Sequence, residues 1–596
     1  MKPTTTKHIA AYLAVVAIPL ALIWFIGVYV TIGDGIFAGL MLQGLFFPPI
    51  EKFYLVTNGS NRFLLATMAQ LYKHFPQINW FDVSQLVPGI VTLLLLLYIL
   101  FTTILQSFSG KWVLIAATIF SALLGVVFAE STVLYDPLSS SLMLPLLVLL
   151  LPHYCNHQWA KAGAYLLLTL LLLLCWQIRY QGMFVGLVPA IALLGLLDLS
   201  PIKFLNKYKY AILLIATTFG IFMGASHLQD QNITPEEQKI AELDSYIYTF
   251  SDGMVVKPGS YDITDPVDSI KLIAYYTFYF AEPTDTALAY MKNITYPSVF
   301  EGDVLAGLPI KWGLFWERTK VDGPMAYQGY NRFLWYMLAA NLAFLLWAIL
   351  LAPNKTWIWK ALLWTLFVWC YFVSLGVAVK MIYKLAAPLT FFFQFSFVYL
   401  ALQIWRDRNN APTDRTTFAI VASFVVLISI VGFQLKTYAS IKADRQEGLL
   451  LKQEIVTEMN QIFPDKLLVF DFFSEVVLEH EIGADNSTRE LLPEATMFGD
   501  FYMSLFPTNK QHLEALTGTS DFVSFFKYCA SNPDKVVLVM SQHRIDLIKS
   551  YLKLVKGVEL NFLPLEGDYK IEQLDHSFYE VPLLLNYYQV TFSEPK

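Results

Sequence analysis

Seven charged side chains have the types and positions that surface chemistry at a membrane would use. Asp34 follows the first apolar run, in Thr31–Ile32–Gly33–Asp34–Gly35. A carboxylate at a membrane boundary is costly and often functional, and there it can accept a proton. The bland alternative is an ordinary helix-end acid among headgroups. Arg62, after Asn58–Gly59–Ser60–Asn61, can hold a phosphate or cap a helix. Glu130 and Asp136 flank the turn Ser131–Thr132–Val133–Leu134–Tyr135. They can bind sugar hydroxyls, a cation or a polar acceptor, or simply solvate the turn. Arg179, Lys380 and Lys384 are cations that bind phosphate through charge-assisted hydrogen bonds, or snorkel to lipid headgroups. Asp34 and Asp136 could share a divalent metal, but no ligand spacing supports a metal site, and no other cofactor is expected. No Ser-x-x-Lys or Gly-x-Ser-x-Gly nucleophile motif stands out. His74, His153, His157 and His227 form no spaced ligand set.

These residues sit in a chain of unusual composition. Of 596 residues, 56% are apolar and only 15% are Asp, Glu, Lys or Arg. Soluble proteins average roughly 25% charged residues. The mean hydropathy of +0.51 points the same way. The composition is that of a polytopic α-helical membrane protein. A net charge of -6 excludes a generally basic nucleic-acid binder. The four cysteines lack metal-ligand spacing.

A spanning helix needs about 20 apolar residues, and about eleven runs qualify. They cover 9–31, 87–107, 112–129, 138–152, 162–178, 181–198, 209–226, 333–352, 357–378, 385–404 and 416–434. The stretch 162–198 is too long for one span, and Gln177, Arg179 and Gln181 interrupt it. It reads as two helices joined by a tight turn. The first run exceeds the usual signal-peptide core of about 7–15 residues, so it is expected to stay as a helix.

Lys and Arg in the short loops set the orientation. With the N-terminus inside, the inner loops hold Lys111, Lys161, Lys203, Lys207, Lys209, Lys355, Lys360, Arg406, Arg408 and Arg415. Outside fall the loops 32–86 and 227–332, and the tail from 435. Arg179, Lys380 and Lys384 then lie on outer turns, against the usual bias. Residues 1–434 form the membrane domain. Residues 435–596 form an extracytoplasmic α/β domain with a largely parallel sheet. Its strands are expected at 466–473, 535–541, 558–564 and 585–593. Its helices are expected at 440–463, 511–529 and 543–556. No glycine-rich phosphate loop follows its strands. In the first outer loop, Asn61–Phe75 places Leu64, Leu65, Met68, Leu71 and Tyr72 on one helical face, as an interfacial helix would.

This layout resembles the GT-C superfamily of membrane glycosyltransferases over about residues 1–434. Four features carry the likeness: Asp34 soon after helix one; the long first outer loop; the turn Tyr135–Asp136–Pro137–Leu138; and Lys380–Met381–Ile382–Tyr383–Lys384 followed by Pro388. The last is similar to a stretch of lipid A aminoarabinose and protein mannosyl transferases. Asn58–Gly59–Ser60–Asn61–Arg62 resembles O-antigen glucosyltransferases. Asp34 stands alone where many relatives carry an acidic pair.

The resemblance implies an inverting transfer of a sugar from a polyprenyl-phosphate carrier to a glycan, lipid or protein acceptor. Asp34 would be the catalytic base. Lys380, Lys384 and Arg179 would hold the carrier phosphate, with Tyr383, Arg62, Glu130 and Asp136 as further ligands. A bacterial inner membrane is the expected location. The rival readings are an O-antigen polymerase or ligase, and a lipid-linked substrate transporter or flippase.

Overall fold

In a computed structural model the protein is mostly helical, with a small C-terminal sheet. The structure describes residues 13, 15–22, 30–31, 62–78, 80–107, 138–155, 157–198, 200–231, 233–253, 257, 259–260, 264–277, 284–296, 312, 330–378, 383–408, 425, 429, 432, 450, 453–470, 480–481, 495–497, 507–519, 521–565, 569–571 and 583–593. The chain divides into two compact units. The first is Met1–Val30, Val83–Ser226 and Trp312–Arg445; the second is Thr31–Asp82, His227–Lys311 and Gln446–Lys596. The second unit thus gathers both long loops with the tail.

Among the described residues the first half of the chain gives α1 (Arg62–His74), α2 (Trp80–Ser107), α3 (Leu138–Tyr154), α4 (Gln158–Asp198), α5 (Pro201–Asp230), α6 (Pro235–Gly253), α7 (Pro266–Thr277) and α8 (Thr284–Ile294), with a further helical stretch at 15–22. Then come α9 (Tyr330–Leu351), α10 (Lys355–Ala378) and α11 (Tyr383–Asp407). Six stretches among the described residues are long and apolar enough to cross a membrane. They are Leu86–Ser107, Gln158–Ile178, Tyr180–Asp198, Pro201–Leu228, Lys355–Val377 and Pro388–Asp407. Ser141–Tyr154 and Met337–Leu351 are shorter apolar helices. These features suggest a multi-pass membrane protein. The expected spans 112–129 and most of 9–31 and 416–434 lie outside the described residues.

Residues Gln158–Asp198 form α4, 41 residues in all, and its two halves Gln158–Ile178 and Tyr180–Asp198 are each long and apolar enough to cross a membrane, as the expected pair of helices would be. A straight helix of that length would measure about 60 Å. Yet its two ends share neighbours. Asp198 pairs with Lys207 at 3.0 Å. Next to Lys207, the Tyr208 ring lies 5.1 Å from His153, which closely precedes Gln158. The helix therefore doubles back on itself. A second contact requires the same bend: a Cβ added at Gly186 would run into the Leu142 backbone. On a straight α4 starting beside Tyr154, Gly186 would lie beyond the far end of α3. The glycine is what lets the two backbones approach.

In the second unit, the predicted face of α1 is buried inside the protein: Leu64, Leu65, Met68 and Tyr72 are enclosed. The Tyr72 hydroxyl accepts from the Phe81 amide at 3.0 Å and ties α1 to the start of α2. Helix α6 opens on a reciprocal cap. The Thr234 amide donates to Glu237 Oε2 at 2.7 Å, and the Glu237 amide to Thr234 Oγ1 at 3.3 Å. Lys239–Asp285 and Lys292–Glu242, both 2.7 Å, join α6 to α8.

The tail forms a six-stranded sheet from β1 (Leu467–Phe470), β2 (Ala495–Met497), β3 (Val536–Ser541), β4 (Leu560–Pro564), β5 (Tyr569–Ile571) and β6 (Leu583–Phe592). The spatial order is β2-β1-β3-β6-β4, with β5 also on β6. Pairing is parallel for β2-β1-β3, with Leu467 opposite Val536. It is antiparallel around β6, with Leu538 opposite Tyr588. The sheet is thus mixed rather than largely parallel.

The expected helix 511–529 is two helices, α12 (Pro507–Thr517) and α13 (Phe522–Ser531). Gly518, with φ 75, ends the first, and Asp521 caps the second by accepting from the Ser524 amide at 2.8 Å. Helix α14 (Gln542–Leu554) completes the layer. The core packs Phe522, Phe525 and Phe526 against Val536, Leu538 and Tyr588, and Ile270 of α7 joins it.

Candidate functional site

The directions of the helices decide which residues can meet. Helices α2 and α11 run the same way. The Ser107 hydroxyl donates to the Leu402 carbonyl at 3.3 Å, and the Trp405 indole to the Ser107 carbonyl at 2.6 Å. One level earlier, the Thr103 hydroxyl donates to Tyr154 Oη at 3.0 Å, and that hydroxyl to Tyr399 Oη at 3.1 Å. Helix α9 is parallel to α11 as well: Phe344 stacks on Phe397 at 5.2 Å, and Trp347 donates to the Ala401 carbonyl at 3.1 Å.

Helix α10 runs the other way. Trp364 bonds Ser396 at 2.9 Å, and the Tyr371 ring meets Phe393. It is also antiparallel to the second half of α4: Lys360 donates to the Leu197 carbonyl at 2.9 Å, and Tyr371 to that of Val185 at 2.7 Å. Helix α3 follows that half of α4, through Leu142 with Gly186 and His153 with Tyr208.

Two ends of the first unit result. One gathers Ser107, Tyr154, Gln158, Asp198, Pro201, Lys355 and Asp407. It carries Lys161, Lys203, Lys207, Lys209, Lys360, Arg406 and Arg408. The opposite end gathers Leu138 of α3, the corner of α4, the end of α10 and the start of α11. Arg179 lies at that corner, and Tyr383 and Lys384 are the first residues of α11. These three expected site residues therefore sit on backbone at one end. Arg62 opens α1 in the second unit. Asp34, Glu130, Asp136 and Lys380 lie outside the described residues.

Polar groups divide between the two halves of this unit. Toward the lysine-rich end, the hydroxyls of Thr103, Tyr154, Tyr399 and Ser107 are paired as given above. Toward the corner end, Thr92 Oγ1, Ser141 Oγ, Gln177 Oε1 and both amide atoms of Gln394 are buried with no hydrogen-bond partner. Leaving such a group unpaired costs about 1–3 kcal/mol. A chain retains them where something polar is to be met. Sequence reasoning read Gln177 only as a helix interruption and did not single out Thr92, Ser141 or Gln394. The signal available was a polar residue inside an apolar span. Among the described residues no group of three His, Cys, Asp or Glu side chains could hold a metal.

A second unpaired group lies in α6. Asp244 is partly buried, and its Oδ1 is enclosed without a hydrogen-bond partner. Desolvation pushes its carboxyl up to about 7. Nearby chemistry is similarly muted: burial, and then the Asp268 charge, push the Tyr290 hydroxyl up to about 12.

The chain matches no family model, and no curated protein or solved structure is similar to it.

Proposed function

We propose that the protein is an integral membrane glycosyltransferase. It moves a sugar from a polyprenyl-phosphate carrier to an extracytoplasmic glycan, lipid or protein acceptor. The observation that carries this reading is the end of the first unit where the α4 corner meets the start of α11. The backbone of Arg179 and Lys384 lies at that end, and the partnerless Thr92, Ser141, Gln177 and Gln394 lie in the half behind it. Cations there offer an anionic leaving group the stabilisation that transfer needs. The lysine-rich opposite end supports a cytoplasmic assignment for that side. A multi-pass protein of the bacterial cytoplasmic membrane, with its tail outside, follows.

In the mechanism, a carrier lipid enters laterally, and Lys380, Lys384 and Arg179 hold its phosphate. Asp34 takes the proton from the acceptor hydroxyl as the oxygen attacks the anomeric carbon. The sugar–phosphate bond breaks, the polyprenyl phosphate leaves, and the configuration inverts. The test is transfer from a radiolabelled polyprenyl-phosphate sugar in membranes. Asp34→Asn is expected to lower transfer by about 100-fold or more, the scale of a lost general base. Lys384→Ala is expected to weaken use of the carrier. Full activity of a folded Asp34→Asn protein overturns the reading.

A lipid-linked substrate transporter is the second reading. Gln394 favours it, because this unpaired amide lies well inside the bundle on its most enclosed span. Purified protein that flips a fluorescent polyprenyl phosphate in vesicles but transfers no sugar decides for it.

A further inference from the structure

The lysine-rich end of the first unit contains a corner that sugar transfer does not use. There α3 ends, α4 begins and ends, and α5 begins. Lys161, Lys203, Lys207 and Lys209 are all exposed around it. Asp198 is the acid facing them among the described residues, and Lys207 already holds it at 3.0 Å. The frame is firm: the His153 ring packs edge-on against Tyr208 at 5.1 Å, and Lys207 Nζ lies over the Tyr208 ring at 5.0 Å. Lys209 Nζ lies over Tyr210 at 5.1 Å.

Two further observations narrow the partner. Large amphipathic rings stand in solvent beside the lysines, with Trp159 90% and Tyr210 63% exposed. Just along the same helices, Leu166 and Leu170 of α4 and Ile202, Leu205 and Leu213 of α5 are exposed as well. Helix α5 is the least enclosed of the six spans. A soluble anion would satisfy the lysines and leave this apolar flank bare. An anionic amphiphile satisfies both.

We propose that the α3–α4–α5 corner is a binding site for an anionic phospholipid of the surrounding bilayer. Its phosphate sits among Lys161, Lys203 and Lys209. Trp159 and Tyr210 lie at the level of the ester groups, as aromatic belts do. The acyl chains run along the exposed leucines. The site rests on the membrane reading and not on the sugar chemistry.

The experiment is native mass spectrometry of the delipidated full-length protein with phosphatidylglycerol or phosphatidylcholine of matched chains. Phosphatidylglycerol is expected to be retained at least about tenfold over phosphatidylcholine. The triple variant Lys161→Gln, Lys203→Gln, Lys209→Gln is expected to lose that preference. A control pair in the tail, Lys527→Gln with Lys549→Gln, is expected to keep it. Equal retention of the two lipids by the unmodified protein overturns the proposal whether or not the triple variant folds. So does an unchanged preference in a folded triple variant. Competition by glycerol 3-phosphate, which has no acyl chains, also overturns it, because the site would then bind a soluble anion.

Discussion

A carboxylate with an enclosed, unpaired oxygen gives up its proton late. Asp244 is such a group, held up at about 7 by desolvation, against an ordinary carboxylate value of 3.8. Below the lower value both folded and unfolded chains carry the proton, and nothing is gained or lost. As pH rises from 3.8 towards 7 the unfolded chain ionises while the folded one does not. Folding stability falls over that window. Asp244→Asn removes the penalty. Thermal unfolding is expected to show the variant more stable by about 2 kcal/mol at pH 8 and level with the parent at pH 4. A gain of the same size at both pH values would mean that the effect is packing, not titration. Gln394 predicts a similar trade. Gln394→Leu removes two unpaired buried atoms at nearly constant volume and is expected to raise stability by about 1–2 kcal/mol. If the amide meets substrate, the same variant loses activity while its melting temperature rises.

At the scale of elements, the doubled-back α4 carries the most consequence. Its apolar length, broken by Gln177, Arg179 and Gln181, showed in the sequence that the chain passes twice. What periodicity did not show is which neighbours the second half meets: it lies beside α3 through Leu142 and Gly186, and against α10 through Lys360 and Tyr371. The reversal makes a sharp prediction. In a background without the native cysteines, His153→Cys with Tyr208→Cys is expected to be bridged by a short bifunctional thiol reagent, read as a gel-mobility shift. A straight α4 would keep those positions apart. Gly186→Leu, by contrast, forces side-chain atoms into the α3 backbone and is expected to destabilise by about 3 kcal/mol or more. Loss of folded protein in detergent chromatography is the readout. In the tail, Gly518 and Asp521 show why one expected helix became two: a positive φ stops the first, and a side-chain cap starts the second.

Across the whole first unit, α2, α3, α9, α11 and the second half of α4 run one way. Helix α10 and the first half of α4 run the other. This is the alternation that loop charges alone suggested. It puts the lysine-rich turns together and leaves the α4 corner and the α11 start at the far end. With the lysine-rich end in the cytoplasm, a tail-fused alkaline phosphatase is expected to be active and a tail-fused green fluorescent protein dark. The reverse pattern would invert the assignment and place the proposed transfer site inside the cell.

The sequence by itself determined the solvent of this protein. Fifteen per cent charge and long apolar runs suggest a multi-pass membrane protein, because a soluble chain of this length would need more charged surface. It also determined the apolar strand Val536–Ser541 and the one-sided apolar face of Leu64, Leu65, Met68 and Tyr72, since both follow from local periodicity, though not that protein rather than the membrane interface covers that face. Only the tertiary structure decided which polar groups inside the bundle go unpaired. Thr92, Ser141, Gln177 and Gln394 look alike in sequence to Thr103, Ser107 and Ser396, which are paired. The difference lies in what the neighbouring helix presents at the same depth. That depends on helix direction and register, which act between segments far apart in the chain.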